Sequence, residues 1–265
     1  MYGTSDGCTA ITTAPTYAAV RPAAAFVTAV TVTACLPWTV RNCVRMQRCA
    51  LVSVNGGWNL LIGAQTTTGA WAEVDVPEEC RTVWDEAAKD TCFERAGRRV
   101  IVTAPGSWLA AAPKKLAATF DYFGGAPWYL RASNGAAFRE VDKLALGVVE
   151  TVVSRLLLLG ALVATARLAG PRARLRGLVA VVAAAFALTV HAWPAYLALA
   201  VLVALLGRRR VLELPLVVPW AAVVVAATAL AHAVFFGAGR YGIVVVPLVT
   251  ALAFVRPSAA SPRET

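Results

Sequence analysis

Charge is scarce in this sequence. Asp, Glu, Lys and Arg make up 15% of its 265 residues, against 58% hydrophobic residues and a mean hydropathy of +0.64. That balance excludes an ordinary soluble domain, which carries about a quarter charged residues. Acidic charge is the scarcer sign, with 15 Asp and Glu against 25 Lys and Arg and a net charge of +10. In a soluble protein such an excess points to nucleic acid. Here the arginines cluster beside apolar runs, where they set orientation across a bilayer, so no nucleic-acid partner is expected. Histidine is nearly absent: the two residues, His191 and His232, both lie in apolar segments. The six cysteines form no CxxC pair, and neither a metal nor any other cofactor is expected. Residues 1–22 also lack the basic and apolar stretches of a secretion signal and read as a polar cytoplasmic segment.

What the sequence has in plenty is Ala, Val and Leu, in runs close to the roughly 20 residues that a helix needs to cross a bilayer. The first run, residues 23–37, is apolar apart from threonines, which can bond back to their own helix, and ends at Pro37-Trp38. Within it, Val32-Thr33-Ala34-Cys35 also has the form of a lipoprotein cleavage box, which would place a lipid on Cys35. The spans that follow leave such an anchor little to add.

Residues 38–143 are mixed in composition and hold Trp38, Trp58, Trp71, Trp84, Trp108 and Trp128. This stretch is too polar for immersion and long enough for a compact extramembranous domain. Inside it, Gly106 to Thr119 reads as amphipathic, either lying on the membrane with Lys114 and Lys115 toward headgroups or forming a solvated helix. Cys80 and Cys92 flank an acidic, helix-like segment. Outside the cytoplasm they could close a loop worth about 3 kcal/mol; otherwise they are free thiols.

Residues 144–256 read as a helical membrane domain, followed by a cytoplasmic tail at 257–265. Arg155 stands roughly 18 Å from Arg167 at helical rise, which places it inside the hydrocarbon if Arg167 marks an interface. A central arginine costs about 3 kcal/mol on insertion scales. It must therefore snorkel, pair (with Glu150, for instance) or line a cavity where an anionic ligand sits. Gly177 to Gly207 is too long for one span, at roughly 46 Å, and short for two. The arginine clusters at 172–176 and 208–210 decide for a hairpin of short helices, which keeps both in the cytoplasm. With the runs to Phe236 and to Val255, the expectation is an α-helical polytopic membrane protein of about six spans carrying one mixed extracytoplasmic loop domain. The turn at 237–241 then faces the same side as the loop.

Two motifs carry a resemblance. Pro37-Trp-Thr-Val-Arg-Asn42 with Val52-Ser-Val-Asn-Gly-Gly-Trp-Asn-Leu60 and Gly63 resembles the block that opens the large extracytoplasmic loop of bacterial polyprenyl-phosphate-sugar-dependent glycosyltransferases. These have the GT-C architecture, a class that includes protein O-mannosyltransferases and the aminoarabinose transferase of lipid A. His232-Ala-Val-Phe-Phe-Gly-Ala-Gly-Arg-Tyr241 with Pro247 resembles a late motif of the same group, about 175 residues further on. The resemblance covers about Ala23 to Val255 and matches the later part of such enzymes. It implies a multi-pass protein of the cytoplasmic (inner) membrane, in contact with membrane lipid, that binds a polyprenyl-phosphate-linked sugar.

By the resemblance, Arg240 and Tyr241 hold the lipid phosphate. The chemistry suits them, since a guanidinium fork matches phosphate and a phenol adds a donor, although an Arg-Tyr pair also serves as an interfacial anchor. His232, about two turns earlier, either faces the site or packs against a neighbouring helix. Arg155 is a further candidate for substrate contact. Asn55, Trp58 and Asn59 either brace the loop or touch the sugar, while Arg41 and Asn42 brace it at the first span. The family's catalytic acid sits in an earlier loop that has no counterpart here. Asp75, Asp85, Asp90, Asp121 and Asp142 read as solvated loop carboxylates. The expected function is thus a truncated or split glycosyltransferase, inactive without a separate N-terminal-half subunit. The alternative is a noncatalytic assembly or lipid-phosphate-binding subunit. A small transporter fits less well, because no internal repeat or broken helix pair appears.

Overall fold

The computed structural model describes residues 17–50, 52–122 and 124–255, with side chains from residue 25 onward. The candidate tail at 257–265 and most of the polar segment at 1–22 lie outside the described residues. The fold is helical throughout. The one β-type pairing among the described residues is a bridge between Ala70 and Gly237.

Helix α1, Tyr17–Met46, continues through Pro37 instead of stopping there. Proline removes one amide from the helical ladder, and the Thr39 hydroxyl, bonded to the Cys35 carbonyl at 3.0 Å, ties the next turn back onto the helix. Beyond Met46 the chain reverses at Gln47, in the left-handed region at φ 50°, and Cys43 is bonded to Cys49 across this turn. Nothing in the local sequence marks that pairing beyond the two cysteines themselves.

The domain expected to be mixed is helical. It comprises α2 (Gly56–Gln65), α3 (Glu78–Arg81), α4 (Glu86–Thr103), α5 (Pro105–Ala110), α6 (Ala112–Phe120) and α7 (Gly125–Ser133). Asp85 caps α4, accepting from the Ala88 amide at 2.8 Å. Helices α2 and α4 cross in close contact because glycines stand at the crossing: a Cβ on Gly57 would overlap the Asp90 carbonyl, and one on Gly97 would press on the Leu61 backbone. A small core of Leu61, Cys80, Cys92, Phe93 and Ala96 lies between them. The structure joins Cys80 to Cys92, with Cα atoms 5.7 Å apart. Replacing this pair by serine is expected to destabilise the loop domain by about 3 kcal/mol. The check is faster proteolysis between α2 and α4, with α8 to α14 still resistant.

The second unit is a bundle of α8 (Glu140–Arg167), α9 (Ala173–Ala187), α10 (Trp193–Leu205), α12 (Val217–Val234) and α14 (Val246–Ala253). The short α11 (Arg208–Glu213) and α13 (Gly239–Gly242) connect them, the latter running through a 3-10 turn into α14. Leu158, Leu162, Leu199, Val218, Val225 and Leu252 fill the core. Two helices, α8 and α12, are long and apolar enough to cross a membrane. Only 22% of each apolar window is buried within the protein. A core helix of a soluble protein would bury most of that surface, so their outward apolar faces suit lipid.

Gly177 to Gly207 does form a hairpin, with a break at residues 188–192 and Pro194 in the first turn of α10. Both arginine clusters meet at one end of the bundle. Arg210 donates to the Ala169 carbonyl at 2.9 Å, and Arg176, buried, donates to Gly170 at 3.3 Å. The loop domain sits at the opposite end, against the start of α10 and the end of α12.

Candidate functional site

The two sequence motifs that lie far apart in the chain meet in space. Gly63, at the end of α2, packs on the Phe235 backbone so closely that a Cβ would stand 2.6 Å from its carbonyl carbon. The Gly237 amide donates to the Gly69 carbonyl at 2.8 Å. Gly69 has φ +83°, a conformation that glycine adopts freely. Gly237, Gly239 and Gly242 in turn lie against Lys115, Tyr122 and Thr119, with no room for a Cβ at any of them. The glycines of this turn therefore allow the loop domain to seat on the bundle. Gly237→Ala is expected to unseat it, because the added carbon overlaps a backbone carbonyl that cannot move alone. Protease sensitivity at residues 235–242 is the measurement, and unchanged resistance would contradict the contact.

Lys115 fixes the seat. Its ammonium, fully buried, donates to the carbonyls of Ala233 and Val234 at 3.3 and 3.2 Å, at the C-terminus of α12 where the helix dipole favours a cation. The Trp108 ring lies 5.2 Å from it, and the Trp108 indole also donates to Val234. Burial pushes the Lys115 ammonium down to about 8. Lys114 donates to the Thr67 carbonyl at 3.0 Å. The segment from Gly106 to Thr119 thus divides: residues 106–110 and Lys114 are largely exposed, as in a solvated surface helix, whereas Lys115 and the residues after it pack into the protein. It is two short helices, with Lys115 buried at the end of α12 and Lys114 bonding the Thr67 carbonyl at the surface.

On the turn held in this way, three expected residues come together. His232 stacks on Tyr241 with ring centroids 4.3 Å apart. Arg240 donates to the Tyr241 hydroxyl at 2.9 Å and lies over its ring. The His232 Nδ1 is 2.7 Å from the Phe236 carbonyl, which can only accept, so Nδ1 carries the hydrogen. His232 therefore packs within its own turn and leaves Nε2 for other contacts. The bond to Tyr241 pushes the Arg240 guanidinium further above its ordinary range. Arg240 is exposed, and among the described residues no carboxylate pairs with it.

Below α13 lies a cavity of about 50 Å³ lined by Thr119, Tyr122, Glu150, Ser154, Arg155 and Tyr196 among others. Arg155 lines it, but its ion-pair partner is Asp121, at 3.7 Å, and not Glu150. Glu150 instead accepts from the Ala126 amide at the start of α7. Arg155 thus points into the junction between loop domain and bundle. It does not reach for a membrane surface.

Asp121 is no solvated loop carboxylate. Its side chain is 8% exposed, wedged between α8 and the start of α10. Burial pushes its carboxyl up to about 6; Arg155, the amides of Ala192 and Trp193, and His191 oppose that shift. Neither amide completes a hydrogen bond, and both carboxylate oxygens and Arg155 Nη1 are buried without one among the described residues. Asp90 is likewise buried, accepting from Arg48 at 2.9 Å and from the Trp58 amide at 3.0 Å. One signal in the sequence set Asp121 apart: it stands between Phe120 and Tyr122, away from other charges.

The remaining candidates lie away from Arg240. Asn42 is buried, donating to Ala50 and Val52, and Arg41 bonds Asn42 and covers Trp38. Both brace the exit from α1. Asn55 precedes α2 and accepts from the Asn59 amide, and Trp58 packs on Phe93. Cys80 and Cys92 lie in the loop-domain core. Comparison with models of known families, with curated proteins and with solved structures finds no match to this chain.

Proposed function

We propose that this chain binds a polyprenyl-phosphate-linked sugar as part of a polytopic membrane glycosyltransferase. The observation that carries the reading is Arg240, an exposed guanidinium without a carboxylate partner among the described residues, braced by Tyr241 on a turn clamped between loop domain and bundle. Such a fixed, uncompensated fork suits a phosphate at a membrane surface, and the outward apolar faces of α8 and α12 offer the hydrocarbon surface along which a polyprenyl chain can lie.

A six-span topology with an extracytoplasmic loop domain is part of the proposal. The helices at each expected run support it, as do the two arginine clusters gathered at the end opposite the loop domain. Donor binding needs no carboxylate, whereas transfer needs one within reach of the acceptor hydroxyl. Asp121 is committed to Arg155 beneath α13, so the proposal assigns the catalytic carboxylate to an N-terminal-half subunit or segment. The alternative, a noncatalytic subunit that holds lipid phosphate or assists assembly, rests on that same commitment of Asp121.

The test is binding of a short-chain polyprenyl phosphate to the purified full chain in detergent, with the matching polyprenol as control. Binding that depends on the phosphate supports the site, and equal binding of the alcohol overturns it. Phosphate-dependent binding without sugar transfer, even with co-expressed membrane partners, favours the noncatalytic alternative.

A further inference from the structure

A second concave surface lies in the loop domain, away from the Arg240 turn. It is an open groove of about 640 Å³ whose walls are the rings of Trp58, Trp84 and Phe93, and whose rim carries Asp75, Arg81 and Lys89. Trp84 is 87% exposed, so its indole contributes almost nothing to the core. The chain nevertheless holds it in place. It lies between Cys80 and Cys92 in the disulfide-closed loop, and the next residue, Asp85, caps α4. The Lys89 ammonium stands 5.6 Å from the indole centroid, which orients the ring. On the opposite wall, Gln65 bonds both the amide and the carbonyl of Asp75, at 3.0 and 3.1 Å, and the Arg81 guanidinium is tied to the Val76 carbonyl. The Asp75 carboxylate is 90% exposed and meets Arg81 only at 3.7 Å. Arg81 also pairs with Glu78 at 3.4 Å, so the rim presents the Asp75 carboxylate, the Lys89 ammonium and the remaining N–H groups of a guanidinium held in place before any ligand arrives.

We propose that this groove binds a neutral oligosaccharide. Sugar rings combine an apolar C–H face with a periphery of hydroxyls that both donate and accept. The groove matches this with the exposed indole of Trp84 and the half-buried ring of Trp58, backed by Phe93 in the core, and with charges of both signs at the edge. A hydrocarbon tail would cover three charged groups without satisfying them, at a cost of desolvation with no hydrogen bonds in return. A polyanion would meet Asp75 as well as the two cations. Pre-fixed rings and rim groups lower the ordering cost of binding, which is what a weakly held, hydrated ligand needs. The proposal goes beyond lipid-phosphate binding and does not require it.

The test uses the purified full chain in detergent and a panel of neutral linear tetrasaccharides of glucose, mannose, galactose and N-acetylglucosamine. Binding is read by tryptophan fluorescence and by saturation-transfer NMR. At least one tetrasaccharide is expected to bind with a dissociation constant near or below about 1 mM. Trp84→Ala should weaken it about tenfold or more, as loss of a central aromatic contact does, and Trp84→Phe should recover part of that loss. Because Trp84 lies outside the core, these variants should keep the fold, and unchanged helical content by circular dichroism with an unchanged thermal midpoint checks it. Arg240→Ala should leave saccharide binding unchanged. No binding across the panel, or binding indifferent to Trp84→Ala, overturns the proposal. So does a loss, in Trp84→Ala, of fluorescence quenching by brominated phospholipid in the lipid-reconstituted chain, since Trp84 would then be a membrane contact.

Discussion

Arg240→Ala is expected to lower the affinity for a short-chain polyprenyl phosphate roughly 100-fold. A charge-assisted hydrogen bond is worth about 1.5–3 kcal/mol, and the upper figure applies where a guanidinium engages a phosphate with two donors. Arg240→Lys keeps the charge but loses both the fork and the geometry set by Tyr241, so it should recover only part of the affinity. Tyr241→Phe removes the hydroxyl that takes the Arg240 donor at 2.9 Å and should weaken binding several-fold. None of these side chains lies in the core, so folding should survive, with helical content as the control. If Arg240 and Tyr241 were only an interfacial anchor, Arg240→Ala would leave phosphate affinity unchanged.

Asp121→Ala should destabilise the junction by about 3 kcal/mol below pH 4, where it removes a packed neutral carboxyl and leaves a gap beside the buried Arg155 guanidinium, and by less at pH 7, where the ionised carboxyl is itself held at a cost. Replacing both residues, as in Asp121→Leu with Arg155→Met, removes the stranded charge and should restore most of the loss. The same carboxyl gives the protein a pH dependence of known sign. Its folded value of about 6 lies above the ordinary value of 3.8, so between these limits the folded state binds more protons than the unfolded one. Stability from this group is therefore complete below about pH 4 and declines as the pH rises through 6, by at most about 3 kcal/mol. Thermal unfolding in detergent should show that decline, and Asp121→Asn, which cannot titrate, should flatten it. A slope identical in Asp121→Asn would assign the dependence to other groups.

Much of the architecture was legible in one dimension because a long helix that is apolar on all its faces shows as an unbroken apolar run. The runs that became α8, α10 and α12 stand out for that reason, and the arginine clusters at 172–176 and 208–210 were sufficient to choose a hairpin over one long helix. The limits of α1 and of the loop domain were less legible. Pro37 looks like a stop in sequence, but its cost falls on one hydrogen bond, and the helix continues to Met46. The mixed composition of the loop domain concealed its helicity, because short helices held by a disulfide and by glycine crossings need little apolar periodicity of their own.

The candidate site divides in the same way. The sequence by itself determined that Arg240, Tyr241 and His232 would share one turn, since they are neighbours in the chain, and that two glycine-bearing motifs exist. Only the tertiary structure decided that the two motifs touch, at Gly63 with Phe235, and that Gly69, just beyond the first, pairs with Gly237. It alone decided that Arg155 pairs with Asp121 and that Lys115 is buried against the end of α12. The reason is physical. Charge and hydropathy are properties of single residues and add along the chain, whereas burial of a charge depends on what arrives opposite it. For Asp121 and Lys115 those partners come from helices 34 and 118 residues away, beyond any local pattern.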